Sequence, residues 1–282
     1  MKYEEIKHFK DSKFKRKCGV SRVLFETLVA ILRIEMKKKH INGGRLPKLS
    51  CEDMLLMLLT YYRDYPTFFL LGSMFGLDES NAYKNVRWAE QILFMYIYGD
   101  KDNKVNFGEL INISTFDAKK GNVQIVDVTE CTIQRSKTID IQKEYYSGKK
   151  KRHTIKIQII IDEETKRIIS ISFEKGSVHD FSLFKESTKD LDDTTPFLAD
   201  SGYQGIDKIF KNSTTPKKKS KNHPLSDKDI ANNRSISTKR IPIEHTNCQV
   251  KIFRILQERY RSRVKTFFIP AILICKFYNE LL

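Results

Sequence analysis

Residues 121–130 read Gly-Asn-Val-Gln-Ile-Val-Asp-Val-Thr-Glu, an apolar run that carries one carboxylate, Asp127, in its middle. Val123, Ile125, Val126 and Val128 are β-branched and suit a buried central strand. Burying an unpaired carboxylate costs roughly several kcal/mol. The chain must therefore either pair Asp127 with a structural Arg or Lys, or place it at an open edge of the core where it binds something. The second course is the one expected here.

Two later stretches supply further carboxylates. Residues 196–205, Pro-Phe-Leu-Ala-Asp-Ser-Gly-Tyr-Gln-Gly, read as a short strand ending on Asp200 and turning at Gly202. Residues 240–254 place Pro242 just inside an expected helix start, with Glu244 in the first turn and the helix running from 242 to 264. Three acids on two strand ends and one helix, with no Cys or His pair at ligand spacing, suit hard cations such as Mg²⁺ or Mn²⁺ better than Zn²⁺.

The order Asp127, Asp200, Glu244 resembles the DDE transposases, whose catalytic core is ribonuclease-H-like. Ala-Asp-Ser-Gly-Tyr (199–203) resembles that family's strand around the second acid, and Arg240-x3-Glu244-x6-Lys251 its signature around the third. Gly-Ser-Val-His-Asp-Phe-Ser-Leu-Phe (176–184) resembles the segment between the first two acids, and residues 273–282 the family's C-terminal end. The nearest likeness is to bacterial insertion-sequence transposases of the IS-five group and their Harbinger-like relatives, over most of residues 121–282. Relatives often carry a Tyr three residues before the Arg; this chain has Ser237 there.

The resemblance implies a transposase that cuts the ends of a mobile element and joins the 3′-hydroxyls to target DNA. Asp127, Asp200 and Glu244 would be both the catalytic residues and the metal ligands. A pair of Mg²⁺ or Mn²⁺ ions held there would activate the nucleophile and neutralise the leaving oxygen. Asp180 would support the site or cap a helix, and Lys251, two turns beyond Glu244 on the same face, would hold a DNA phosphate or form an ion pair. Arg240 belongs to the same signature. The rival readings are a domesticated or inactive relative that only binds DNA, and a metal-dependent nuclease without strand transfer.

Charge agrees with a DNA partner. Lys and Arg number 51 against 35 Asp and Glu, a net charge of +16, and cationic side chains that displace phosphate counterions bind nucleic acid regardless of sequence. Lys217, Lys218 and Lys219 lie in an expected long basic loop between Asn212 and Arg240 that also holds Lys221, with a short helix near 226–233. The five cysteines form no CxxC or regular framework, and there is no signal-like or membrane-length apolar run. A chain of this kind is expected in the cytoplasm, on the nucleoid if bacterial, and not in a membrane.

The fold class expected is α/β: a helical domain over 1–105 with a helix-turn-helix, then a ribonuclease-H-like mixed sheet flanked by helices over 106–282, joined by a polar linker at 99–108. Residues 1–17 read as a mobile basic arm. Helices are expected over 21–36 and 50–63, the latter with Ser50 and Asp53 as a capping box. Thr67–Phe75, the turn Gly76-Leu77-Asp78 and Glu79–Tyr96 then make the helix-turn-helix. Ala82, Val86, Ala89 and Leu93 form the inward stripe of its second helix. Asn81, Lys84, Asn85 and Arg87 are left to read bases and phosphates. In the second domain, strands are expected over 123–128, 131–134, 153–161 and 167–173, and helices after Ser177 and around 204–211. The catalytic assembly is expected to be a homodimer or higher on double-stranded DNA.

Overall fold

The computed structural model describes residues 1–98, 112–113, 121–219 and 224–282. The expected linker at 99–108 and Lys221 lie outside the described residues. In chain order the elements are α1 (Tyr3–Ile6), α2 (Asp11–Cys18), α3 (Arg22–Lys39), α4 (Cys51–Asp64), α5 (Phe68–Phe75), α6 (Glu79–Tyr98), β1 (Asn112–Ile113), β2 (Gln124–Thr132), α7 (Ile139–Tyr145), β3 (Tyr146–Ser147), β4 (Arg152–Asp162), β5 (Ile168–Lys175), α8 (Asp180–Ser187), β6 (Phe197–Leu198), α9 (Asp227–Val250), α10 (Arg254–Gln257) and α11 (Phe268–Asn279). They form two compact units. The first takes in 1–107, 250–258 and 262–281, and the second 108–249, 259–261 and Leu282. Most of the C-terminal segment, including α10 and α11, thus packs with the N-terminal helices, whereas the sequence places the second domain's end at 282.

In the helical unit, Ser21, Ser50 and Thr67 each accept a backbone N–H three residues on, capping α3, α4 and α5. The capping box at Ser50 is only half made, because Asp53 Oδ1 instead accepts the N–H of Tyr3 at 2.7 Å. Residues 1–17 are not an arm: Tyr3 stacks on Phe25 at 5.2 Å, and Phe14, fully buried, meets the same ring edge-on. Aromatic residues spaced among the lysines anchor what the charge alone would leave in solvent.

The helix-turn-helix forms as expected. Gly76 ends α5 in the left-handed region (φ 70°), and Asp78 Oδ1 accepts Asn81 N at 3.0 Å to open α6. Gly72 has no room for a side chain, since a Cβ there would lie 2.6 Å from the carbonyl oxygen of Leu77. Ala82, Val86, Ala89 and Leu93 are all fully buried.

In the second unit the sheet order is β1-β5-β4-β2-β6, with β3 against β4. Every pairing is antiparallel except β2 with β6, so the sheet is mixed. The strands expected at 123–128 and 131–134 are one continuous β2 because its pairing with β4 runs unbroken from Gln124 to Thr132. On one face Val126, Ile160, Phe184, Phe197 and Tyr203 form a core beneath α8. The other face, by strand alternation, carries Ile125, Asp127 and Ile159. The helix expected around 204–211 is instead a pair of 3₁₀ turns, Ser201–Tyr203 and Ile206–Lys208, separated by Gly205 at φ 88°.

The largest departure is α9. It begins at Asp227, not near 240, and absorbs both the second half of the expected loop and the short helix near 226–233. Pro242 lies inside it. Its missing N–H leaves the Thr238 carbonyl without a helical donor, but Thr238 is exposed and water can replace the bond. The helix also ends early, at Val250, so Lys251 follows its end and does not share a helical face with Glu244.

Candidate active site

β6 pairs with β2 only at Gln124↔Phe197 and Ile125↔Leu198, then stops. The next residues of β2 therefore have a neighbour on the β4 side alone, and Asp127 stands just beyond that gap. Its side chain is 20 % exposed, which is the open edge the sequence suggests. Asp200 follows the end of β6, where Oδ1 accepts Gly202 N at 2.7 Å and caps the first 3₁₀ turn. A Cβ on Gly202 would lie 2.8 Å from that same oxygen, so the glycine of the Asp-Ser-Gly run is what lets Asp200 fold back on its own turn.

The third contribution comes from α9, where Arg240, Glu244 and Asn247 fall at i, i+4 and i+7 on one face. Arg240 Nη2 lies 3.5 Å from Asp127 Oδ1 and 3.8 Å from Glu244 Oε1. Asn247 Nδ2 donates to Asp127 Oδ2 at 2.8 Å. Both courses open to Asp127 are thus realised: it sits at an edge, and it has an arginine partner. The pairing does not neutralise the strain. Burial first, then the charge of Glu244, with Asp200 adding and Arg240 opposing, pushes the Asp127 carboxyl up to about 6.

The charges of Glu244 and Asp200 are thus both felt at Asp127. Among the described residues no set of three His, Cys, Asp or Glu stands at metal-ligating distance. Glu244 is 60 % exposed and its nearest described cation is Arg240. The donor chemistry nevertheless fits a hard cation. The ligands are carboxylate oxygens whose mutual repulsion a cation relieves, and Asn247 Oδ1 is a buried oxygen without a hydrogen-bond partner.

Asp180 is the first residue of α8 and not its cap, which is His179. Asp180 Oδ1 accepts from the buried Lys156 Nζ at 2.7 Å, and the same ammonium donates to the Val178 carbonyl. Lys156 thereby ties the Gly-Ser-Val-His-Asp segment to β4, and Gly176 admits the close approach, a Cβ there being 2.3 Å from Thr154 Oγ1. Tyr203, 1 % exposed, leaves its hydroxyl without a hydrogen-bond partner, and the charges of Asp180, Asp127 and Asp200 add to burial in raising its pKa. Sequence reasoning missed Lys156 and Asn247. Lys156 interrupts the apolar run 155–161 much as Asp127 interrupts its own strand, and Asn247 lies one turn from Glu244.

In the helix-turn-helix, Asn81 and Lys84 are exposed and Asn85 half-buried. All three line a cleft of about 530 Å³ with Trp88, Lys39 and Arg45. Arg87 is a correction. Its side chain is 15 % exposed, paired with the buried Glu90, bonded to Ser262 Oγ at 2.8 Å and flanked by the rings of Tyr61, Phe68 and Tyr83. Glu90 faces the core one turn on and draws the guanidinium inward. Lys217, Lys218 and Lys219 are exposed, though Lys217 Nζ pairs with Asp229 at 2.9 Å. All five cysteines are free, and no helix among the described residues is long and apolar enough to cross a membrane.

Residues 126–277 match the family described as DDE superfamily endonuclease, and residues 47–95 the helix-turn-helix of the same superfamily. The chain is 39 % identical over 279 residues to the protein named as transposase for insertion sequence element IS702 of Microchaete diplosiphon, covering 99 % of this chain and 98 % of that one. It is 24 % identical over 243 residues to the protein named as transposase for insertion sequence element IS112 of Streptomyces albus G, covering 85 % and 84 %. No solved structure matches. With a family model matched over more than half of its residues and almost its whole length shared with such a relative, the chain belongs to the DDE superfamily endonucleases, among the insertion-sequence transposases.

Proposed function

We propose that this transposase cuts DNA at the ends of a mobile element and joins the freed 3′-hydroxyls to target DNA, with Asp127, Asp200 and Glu244 as its catalytic residues. The observation that supports this best is the face of α9 that brings Glu244 and Arg240 to Asp127 at the edge left open where β6 ends. A divalent cation, Mg²⁺ or Mn²⁺ and in the fullest form a pair of them, would be held by these three acids and would supply charge neutralisation at the phosphoryl oxygens and the leaving oxygen.

The chain's own groups divide the remaining work. Asn247 holds Oδ2 of Asp127 in place, while Arg240 stands beside Oδ1 as a loose ion pair. Lys156 fixes Asp180 beside the sheet, so that this acid acts in support and not on DNA. Asn81, Lys84 and Asn85 present the polar edge of α6 to the DNA ends, and Lys217, Lys218 and Lys219 grip phosphates without regard to sequence. In this reading end recognition belongs to residues 1–105 and catalysis to 106–282. Lys251, beyond the end of α9, keeps a role as a phosphate contact only.

Moving an element means processing two ends, and one set of acids accommodates one scissile phosphate at a time. The working complex is therefore a homodimer or larger on DNA. The test is to incubate the protein with Mn²⁺ and DNA carrying the ends that flank its own gene. Excised ends joined to a second DNA support the reading. Cleavage without joining would make the protein a nuclease, and binding without cleavage would make it a DNA-binding relative only. Light scattering on the joined complex must find at least two chains; strand transfer by one chain would overturn the dimer.

A further inference from the structure

We infer that Asn247 is a working member of the site: a positioning residue whose amide N–H clamps Asp127, and a neutral oxygen donor toward the divalent cation. The inference rests on the reading of Asp127, Asp200 and Glu244 given above. Its ground is the way the amide is used. Asn247 is 9 % exposed, and its Nδ2 makes the shortest side-chain contact described for Asp127, 2.8 Å to Oδ2. An ionised carboxylate only accepts, so this contact fixes which end of the amide faces Asp127. The other end, Oδ1, is then a buried acceptor with no hydrogen-bond partner.

Native interiors rarely leave such an oxygen unpaired, and each exception asks for an explanation. Packing is a poor one, since a leucine of similar size would fill the place with nothing to satisfy. Clamping explains the nitrogen but not the oxygen. Amide oxygens are ordinary ligands of hard cations. A neutral ligand also suits this place in particular: a fourth carboxylate would add to the repulsion already acting on Asp127 from Glu244 and Asp200. Arg240 completes the picture. Its guanidinium stands against Asp127 and Glu244, supplying the positive charge a cation would bring, while its buried Nε has no partner.

The test uses the full chain without DNA, Mn²⁺ as the probe, free Mn²⁺ read by electron paramagnetic resonance, and thermal unfolding in parallel. Asn247→Leu removes both amide atoms, Asn247→Asp keeps an oxygen but loses the N–H, and Asp127→Ala serves as the reference. Wild type is expected to bind Mn²⁺ and Asp127→Ala to lose it. Asn247→Leu should weaken binding about 10- to 100-fold, the range seen when groups that orient metal ligands are removed, and its melting temperature in chelator should fall only by the few degrees that one lost hydrogen bond to Asp127 costs. Asn247→Asp keeps an oxygen donor but loses the N–H and adds a charge, so it should weaken binding, though less than Asn247→Leu does. Unchanged Mn²⁺ affinity in Asn247→Leu overturns the inference. So does a loss of binding in Asn247→Asp equal to or greater than that in Asn247→Leu, which marks an amide whose oxygen does not meet the cation. If wild type binds Mn²⁺ no better than Asp127→Ala, the metal reading itself falls, and that failure is visible in the wild-type titration alone.

Discussion

Replacing Asp127 with asparagine should make the metal-free protein more stable while ending its chemistry. The Asp127 carboxyl is pushed from 3.8 up to about 6. The fold therefore holds this proton more tightly than the unfolded chain does, and stability falls as pH rises from about 4 to about 6, then stays level. A tenfold change in proton affinity corresponds to about 1.4 kcal/mol, so the ionised carboxylate destabilises the fold by about 3 kcal/mol at pH 8. The side chain is 20 % exposed, so solvent screening removes little of this. The substituted amide is neutral at every pH. It still accepts from Asn247 but turns a donor toward Arg240, which forfeits about 1 kcal/mol. A net gain of about 2 kcal/mol is left, or about 4–8 °C in melting temperature for a unit of this size. The assay is thermal unfolding of wild type and Asp127→Asn in chelator between pH 4 and 8. A variant that melts below wild type at pH 8, or a difference that does not shrink toward pH 4, would refute the reasoning.

Asp200→Ala and Glu244→Ala should each abolish cleavage of end DNA while leaving its affinity within about threefold, because exposed cations and not the acids hold phosphates; wild-type cutting by either removes that residue from the site. Arg87→Ala should act on folding and not on reading. Breaking its pair with Glu90, which is 1 % exposed, costs about 3–5 kcal/mol, measurable by chemical denaturation; a stable variant with relaxed sequence preference would reverse this. Lys84→Ala should leave stability alone and reduce the salt dependence of DNA affinity by about one unit of log–log slope, as expected for one lost phosphate contact. An unchanged slope in binding titrations takes Lys84 off the DNA.

The helix-turn-helix and the β4–β5 hairpin are legible in the sequence because each is set by local rules: caps one to three residues from the helix they open, a glycine at a left-handed turn, and alternation between two paired strands. Asp127 stands out in the sequence because a carboxylate in an apolar strand is out of place, whereas Asp200, at a strand end, and Glu244, on a helix, draw notice through the order they share with the DDE transposases. What cannot be read this way depends on contacts far along the chain. Helical spacing alone points Arg87 outward, but its place is decided by Glu90 together with Ser262, which is 175 residues away. Residues 1–17 have the charge of an arm, yet their aromatic anchors meet Phe25, a partner that charge counting ignores. Pro242 has the look of a helix start because proline usually marks one. The helix continues through it because Ile236, Ile243 and Val250 bury one face across the break and the exposed Thr238 carbonyl can turn to water.

The continuity of α9 also shapes the chemistry. Had the helix begun at Pro242, Arg240 would have stood in a loop and only Glu244 and Asn247 in the helix. Because it runs from Asp227, Arg240 is fixed four residues before Glu244, and one rigid element carries a cation, an anion and an amide to the same carboxylate. The acids alone would repel a phosphodiester that the +16 charge of the chain attracts. Arg240 offsets part of that repulsion from within the site, at a distance of 3.5–3.8 Å that marks a loose ion pair and not a locked hydrogen bond. A guanidinium held so loosely can leave Asp127 for an approaching phosphate without breaking the Asn247 clamp. In the function proposed above, the residue that balances the site at rest would also be the one to receive the DNA.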